Sequence, residues 1–280
     1  MKKIDRSVGK IIKMAKKKGY ELYIFSDHGQ SSTTPFKDIY GKRLADFIME
    51  KAGIIEERLE SAEGENSDFV MIYSLKKLFN LFIFLEKKIM ARIVKKIFKK
   101  SVNSIKKDKI DIEERIVTEC SGPLAHIYFN EEDERMEYSR INSMYQGIFD
   151  LITMHEGVEF GVGVCGEGYI IRGRHGEIVT DKNFKIKEEK GVPFKNIIGM
   201  GKEKIMESLG EICTGKDSGD IVLFGAVIAK NRVVNFEEQY GGHGGLGGMQ
   251  NFPFIISKHE YGEDISIMDL YSSFTERFST

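Results

Sequence analysis

Apolar residues recur at helical spacing near the start of the chain. Val8, Ile11, Ile12 and Ala15 follow Asp5, a residue suited to cap a helix. Lys16, Lys17 and Lys18 fall in the last turn, where they oppose the helix dipole, and Gly19 ends it. The period then changes. Tyr20-Glu21-Leu22-Tyr23-Ile24-Phe25 is aromatic and β-branched and predicts a buried strand. Gly29 breaks the strand and leaves Asp27 and His28 at its C-terminal end. Helix, glycine, strand and Asp-His turn together predict one αβ half of a doubly wound sheet, with a helix unusually placed first.

Thr33-Thr34-Pro35-Phe36 reads as a loop, after which Ile39, Leu44, Phe47 and Ile48 resume a helical pattern that stops at Gly53. Residues 59–68, rich in Glu, Ser, Gly and Asn, read as a surface linker. From residue 75 to 109 the character shifts. Leu75, Leu78, Phe82, Leu85, Ile89, Ile93 and Ile97 form the stripe of one long amphipathic helix. Its other face is strongly basic, and Lys106, Lys107 and Lys109 continue the run. This segment reads as an insertion into an α/β core. Its stripe either packs on the domain or lies in the plane of an anionic membrane surface.

Residues 116–118 and 124–129 predict two strands joined by Ser121-Gly122-Pro123, with His126 in the second as a structural histidine. Met136 to Ile152 carries a helical pattern, and Val158 to Val164 is a glycine-containing strand. Tyr169-Ile170-Ile171 and Glu177-Ile178-Val179 predict a hairpin across Arg174-His175-Gly176, with His175 exposed. Gly161, Gly163, Gly166 and Gly168 lack the following helix that a dinucleotide site needs. A loop and short helix span residues 198–212, and Asp217 to Asp220 turns. Ile221 to Ala229 is a very apolar strand that returns through Lys230-Asn231 as Arg232 to Phe236. Phe252 to Ile256 is the last predicted strand.

Composition sets outer bounds. The 280 residues are 41% hydrophobic, enough for one large core or two modest ones, and the whole chain is expected to form a single α/β domain with the insertion at 75–109. The net charge of −1 gives no global basic field, so nucleic acid is not an expected partner. Cys120, Cys165 and Cys213 lie far apart and form no metal or redox motif. They read as reduced thiols of a cytoplasmic protein. The longest uncharged apolar stretch, Leu78 to Leu85, has eight residues against the roughly 20 needed to span a bilayer.

Two short stretches carry chemistry. Asp27 offers a hard oxygen and His28 a borderline nitrogen, a pairing that suits Zn or Mn, and Gly29 supplies the turn that lets both reach one ion. The plain alternative is an Asp-His turn with no ligand. The second stretch places His243 among six glycines, from Gly241 to Gly248. Such a concentration of glycine costs folding entropy. It points to close backbone approach to something bound or to unusual φ angles that aim the imidazole, or else to a mobile loop.

Ser26-Asp27-His28-Gly29-Gln30, with its preceding strand, resembles the second metal-binding motif of the alkaline phosphatase superfamily, in its phosphodiesterase/nucleotide pyrophosphatase branch. Gly242-His243-Gly244-Gly245, followed by Gln250 and Pro253-Phe254-Ile255-Ile256, resembles the final metal-histidine motif of that branch. The resemblance covers most of the chain except the basic insertion. It implies an alkaline-phosphatase-like layered sheet with helices on both faces. It also implies a two-metal phosphoester hydrolase acting on a phosphoester or nucleotide-like small substrate. Asp27 and His28 would serve the metal that activates the nucleophile, and His243 the other metal.

The family's nucleophile and the remaining ligands lie upstream of the helix at residues 5–18, and Met1 to Ile4 cannot supply them. The chain therefore resembles the C-terminal half of the family fold. Thr33 and Thr34 are fallback nucleophiles only, since they follow the Asp-His motif. The two-metal site is expected to be incomplete, with weak metal binding, little turnover alone and one sticky strand edge. A separate chain supplying the other half is an expected partner. The competing readings are a non-catalytic relic or membrane-surface protein that uses the basic helix, and a mutase or sulfatase of the same superfamily.

Overall fold

The computed structural model describes residues 2–53, 115–132, 134–262 and 267–278. The linker at 59–68 and the basic helix at 75–109 lie outside the described residues. In chain order the elements begin with α1 (Lys2–Lys18), β1 (Ile24–Phe25), β2 (Ser31–Pro35), α2 (Phe36–Tyr40) and α3 (Leu44–Lys51). They continue with β3 (Ile116–Ser121), β4 (Leu124–Phe129), α4 (Tyr138–Met144), α5 (Ile148–Thr153), β5 (Val158–Cys165), β6 (Gly168–Gly173), β7 (Gly176–Asp181) and β8 (Ile186–Gly191). The last are α6 (Lys202–Cys213), β9 (Ile221–Gly225), β10 (Val227–Ala229), β11 (Arg232–Asn235), β12 (Gly241–Gly242), β13 (Ile255–Ile256) and α7 (Ile267–Phe278). The fold is mixed α/β.

These elements form two compact units. A terminal unit joins Met1–Gly29 to Phe252–Thr280, and a central unit comprises Gln30–Asn251.

The central unit is built on a seven-stranded sheet in the order β3-β4-β9-β5-β6-β7-β8. Every neighbouring pair in it is antiparallel. β9 lies near its middle, and all five of its residues are buried. Its side chains alternate between faces as a strand requires. Ile221 and Leu223 join the core formed with Phe36, Ile48, Ile141 and Phe149, so α2, α3, α4 and α5 cover that face. Val222 and Phe224 join the core formed with Ile205, Leu209 and Cys213, so α6 covers the other. A strand sandwiched between two helical layers can afford no polar side, which is why its sequence is a continuous apolar run.

A second sheet in this unit has the order β10-β11-β2-β12. Its β2–β11 pair is the one parallel pair among the strands named above. The doubly wound parallel arrangement expected from the first 30 residues is thus not the organising principle. Close hairpins dominate, and short turns can join only antiparallel neighbours.

Other expectations shift. Residues 20–25 were expected to form a buried strand. Only Ile24 and Phe25 are in strand geometry, paired with Ile256 and Ile255, and Phe25 is 48% exposed. A two-stranded ribbon has no third layer to bury it. Residues 33–36 are not a loop, because Ser31–Pro35 form β2 with an alternating buried and exposed pattern suited to its β-branched threonines. The helical pattern at 39–48 divides at Gly41 (φ +76°) and that at 136–152 at Gly147 (φ +78°). At the second break, Asn142 Oδ1 accepts the Phe149 N–H at 2.8 Å and so restarts the helix. At one edge of the sheet, β8 exposes Lys187, Glu188, Glu189 and Lys190, a charged border that resists further pairing.

Candidate functional site

In the terminal unit, β1 ends where Ser26 takes over its pairing. The Ser26 N–H donates to the Phe254 carbonyl at 3.0 Å, and the Phe254 N–H donates to Ser26 Oγ at 3.0 Å. The backbone then turns through Asp27 and His28. The His28 N–H donates to Asp27 Oδ1 at 3.0 Å, which holds the carboxylate beside the imidazole. On the ring, Nδ1 lies 2.6 Å from the Gly29 carbonyl oxygen and Nε2 lies 3.5 Å from Asp27 Oδ2. A carbonyl oxygen can only accept, so Nδ1 carries a proton. In the neutral ring, Nε2 is then the lone-pair nitrogen.

The structure therefore turns two acceptors, an imidazole nitrogen and a carboxylate oxygen, toward each other. Such a pair offers two electron-pair donors to a cation. Two ligands of a tetrahedral ion, each about 2.0–2.1 Å away, sit about 3.3 Å apart. Ligating histidines commonly donate their other N–H to a carbonyl, as His28 does to Gly29. Asp27, with its side chain 86% exposed, and His28, at 39%, are open to an ion from solvent. The pair fits two positions of a Zn or Mn site. Among the described residues no group of three or more His, Cys, Asp or Glu side chains gathers as a metal cluster.

The glycine stretch belongs to the central unit. Gly241 and Gly242 pair with Ser32 and Ser31 of β2. Behind them, Thr33 Oγ1 donates to the Gln239 carbonyl at 2.6 Å, and Asn235 Nδ2 donates to Thr33 Oγ1 at 3.3 Å. Gln250, 2% exposed, closes the far side: its Oε1 accepts the Gly245 N–H and its Nε2 donates to the Gly247 carbonyl. Ser31 Oγ accepts the N–H groups of Met249 and Gln250.

The glycines answer to this packing. A Cβ on Gly247 would lie 2.4 Å from Val227, one on Gly245 2.9 Å from Pro123, and one on Gly248 2.3 Å from Ser31 Oγ. Across the loop, a Cβ on Gly122 would lie 2.5 Å from the His243 carbonyl oxygen. The close approach inferred from sequence is thus made to the protein's own backbone and side chains. His243 itself is exposed on the loop. Thr33 lies under that loop with its hydroxyl proton engaged by Gln239, and Thr34 is half-buried on the same strand.

The chain matches no protein-family model, no curated protein and no solved structure.

The remaining histidines have local work. His126 Nδ1 accepts the Gly219 N–H at 3.0 Å, and burial, with a smaller contribution from Arg135, lowers its pKa. His155 sits among Phe36, Tyr40 and Phe47, with Nδ1 accepting the Gly157 N–H, and burial lowers its pKa as well. Burial pushes the Cys120 thiol to about 11 and the Cys213 thiol to about 12, so neither is a thiolate nucleophile near neutrality. The glycines of β5 and β6 belong to an antiparallel hairpin with no following helix.

Sequence reasoning passed over three polar clusters. Glu159, 1% exposed, accepts the N–H groups of Asn196 at 3.3 Å and Val227 at 3.2 Å. It occupies a register shift between Val158 and Phe160, and the bulge explains an acid inside an apolar strand. Asp220 accepts the N–H groups of Phe129 and Met136, each at 2.7 Å, while burial raises its pKa. In the terminal unit Glu21 meets Lys258, Tyr23, His259 and Arg277, and its pKa falls to about 2, chiefly through the Lys258 hydrogen bond. None of the three carries a spacing signal in sequence, because their partners are distant or are backbone.

Proposed function

We propose that the chain is a metal-dependent phosphoester hydrolase of the phosphodiesterase/nucleotide pyrophosphatase kind, with Asp27 and His28 as ligands to a divalent ion, Zn or Mn. The single observation that carries this is the facing pair. His28 is fixed by Gly29 in the tautomer that turns Nε2 to the Asp27 carboxylate. His243 is assigned as a ligand of the second ion on the strength of its motif.

Bound divalent ions supply Lewis-acid activation of a nucleophile and neutralise phosphoryl charge. The chain's own contribution is orientation. Gly29 holds the His28 ring, the His28 N–H holds the Asp27 carboxylate, and the loop clamped by Ser31 and Gln250 carries His243. Thr33 has its hydroxyl proton on Gln239, which disfavours it as nucleophile. Three ligands are fewer than two ions require, so the reading assigns the nucleophile and the remaining ligands to a separate chain. The alkaline-phosphatase-like layering belongs to this proposal too; the helices on both faces of the seven-stranded sheet accord with it.

The test is hydrolysis of a nitrophenyl phosphodiester and a phosphomonoester with Zn or Mn, alongside metal binding by calorimetry, for the wild type, Asp27→Ala and His243→Ala. Metal binding weakened in the variants is the expected result, and metal-dependent turnover lost in both would show that this chain builds the whole site itself. Metal binding without turnover directs the search to the separate chain. A folded wild type that binds neither ion overturns the reading.

A further inference from the structure

Val8, Ile11, Ile12 and Ala15 recur at helical spacing along α1. In the structure Ala15 is the one buried residue of the helix. Ile4 is 68% exposed, Ile11 55% and Met14 66%, while Val8 and Ile12 are half-buried. Ile4, Val8, Ile11 and Ala15 follow one another at four, three and four residues, so they form one continuous stripe. The stripe is open at Ile4 and Ile11, with Val8 half-buried between them and Ala15 buried at its end.

The rest of the helix is basic. Its 17 residues carry eight lysines and arginines against one aspartate. Lys2, Arg6, Lys10, Lys13 and Lys17 occupy the arc opposite the stripe, and all are exposed. A solvated surface helix of a globular unit buries its stripe and mixes its charges. A helix that docks on an acidic protein groove would also need basic residues, but around the stripe rather than opposite it. A strong division into an open apolar arc and a single-sign basic arc matches one environment best. This is the boundary between lipid headgroups and acyl chains, where the apolar arc enters and the lysines stay with anionic headgroups.

We infer that α1 is an in-plane membrane-surface helix that attaches the terminal unit to anionic lipid. It does not cross the bilayer, since no helix among the described residues is long and apolar enough to do so. The inference rests on α1 alone. It does not depend on the metal reading or on residues 75–109.

The chain contains no tryptophan, so Met14→Trp places a single fluorescent reporter on an exposed position of α1. The full chain with this substitution is mixed with phosphatidylcholine vesicles, with or without about a third of phosphatidylglycerol. A blue shift and quenching by brominated lipid are expected on the anionic vesicles, weakening as salt screens the lysines. Ile4→Asp with Ile11→Asp in the same background should lower the partition by about tenfold or more, with unchanged far-UV circular dichroism because both positions are exposed. Three results overturn the inference. One is the absence of a shift on anionic vesicles. Another is vesicle binding with the reporter unshifted, which would assign attachment to another segment. The third is a concentration-dependent shift without vesicles, which would assign the stripe to a second copy of the chain.

Discussion

His28 Nε2 lies 3.5 Å from Asp27 Oδ2, two acceptors brought face to face by a ring whose other nitrogen is engaged by the Gly29 carbonyl. On the metal reading both atoms are ligands of one ion. Zinc or manganese titrated into the full chain by calorimetry should therefore bind at one site that includes this pair. His28→Ala or Asp27→Asn should weaken that binding by at least about tenfold, the range seen when metal-site partners are removed. If the pair is no metal site, the wild type and both variants will give the same heats with either ion.

Gly122 is the inner support of the loop that carries His243. Its φ is +61°, and a Cβ there would lie 2.5 Å from the His243 carbonyl oxygen, a backbone atom that cannot swing aside. Gly122→Ala should destabilise the central unit by about 2–4 kcal/mol through the combined strain and overlap. Amide exchange should also speed up across residues 241–250. Urea unfolding and hydrogen exchange check the two halves of the claim. An unchanged midpoint would mean that the turn and the loop are not coupled.

Glu159 ties three parts of the central unit through one buried carboxylate. It sits on β5 and receives the N–H of Asn196 and that of Val227. Glu159→Ala leaves two donors without their acceptor and removes a buried side chain. It should cost about 2–4 kcal/mol, measured by urea unfolding. Glu159→Gln keeps one acceptor oxygen and should fall between the two. If the alanine variant matches the wild type, solvent must reach these amides.

The elements best legible in the sequence were those whose neighbours are close along the chain. The β6–β7 hairpin and the apolar run of β9 follow from alternation and turn residues alone. The sheet order was not legible, because β9 pairs with β4 and β5 across intervals that no local pattern encodes. β2 was hidden by its polarity: Ser31 and Thr33 are buried, but their hydroxyls are satisfied by the glycine loop some 200 residues away in sequence. The Asp27-His28 pair was visible as a motif. The ring orientation, with Nδ1 on the Gly29 carbonyl, could only be seen in the structure. The number of glycines around His243 leaves a bound group, unusual φ angles and a mobile loop all open, and the contacts that four of the glycines here make to the protein itself carry no signal in sequence.

Glu21 gives the terminal unit a defined response to acid. Its carboxylate is held to about 2, below an ordinary value of 4.5, first by the hydrogen bond from Lys258 and then by that from Tyr23. The His259 ring and Arg277, on the C-terminal helix α7, add to the cluster. The sign follows from the direction of the shift. A folded-state pKa below the unfolded one means that the charged form stabilises the fold, so the contribution is complete above about pH 4.5 and is lost as pH falls toward 2. Glu21→Gln should therefore be less stable than the wild type at pH 6, and the difference should shrink steadily between pH 4.5 and 2. Thermal unfolding followed by circular dichroism at several pH values checks this. A constant difference across that window would mean that Glu21 acts through packing, and a difference that grows in acid would reverse the assigned sign.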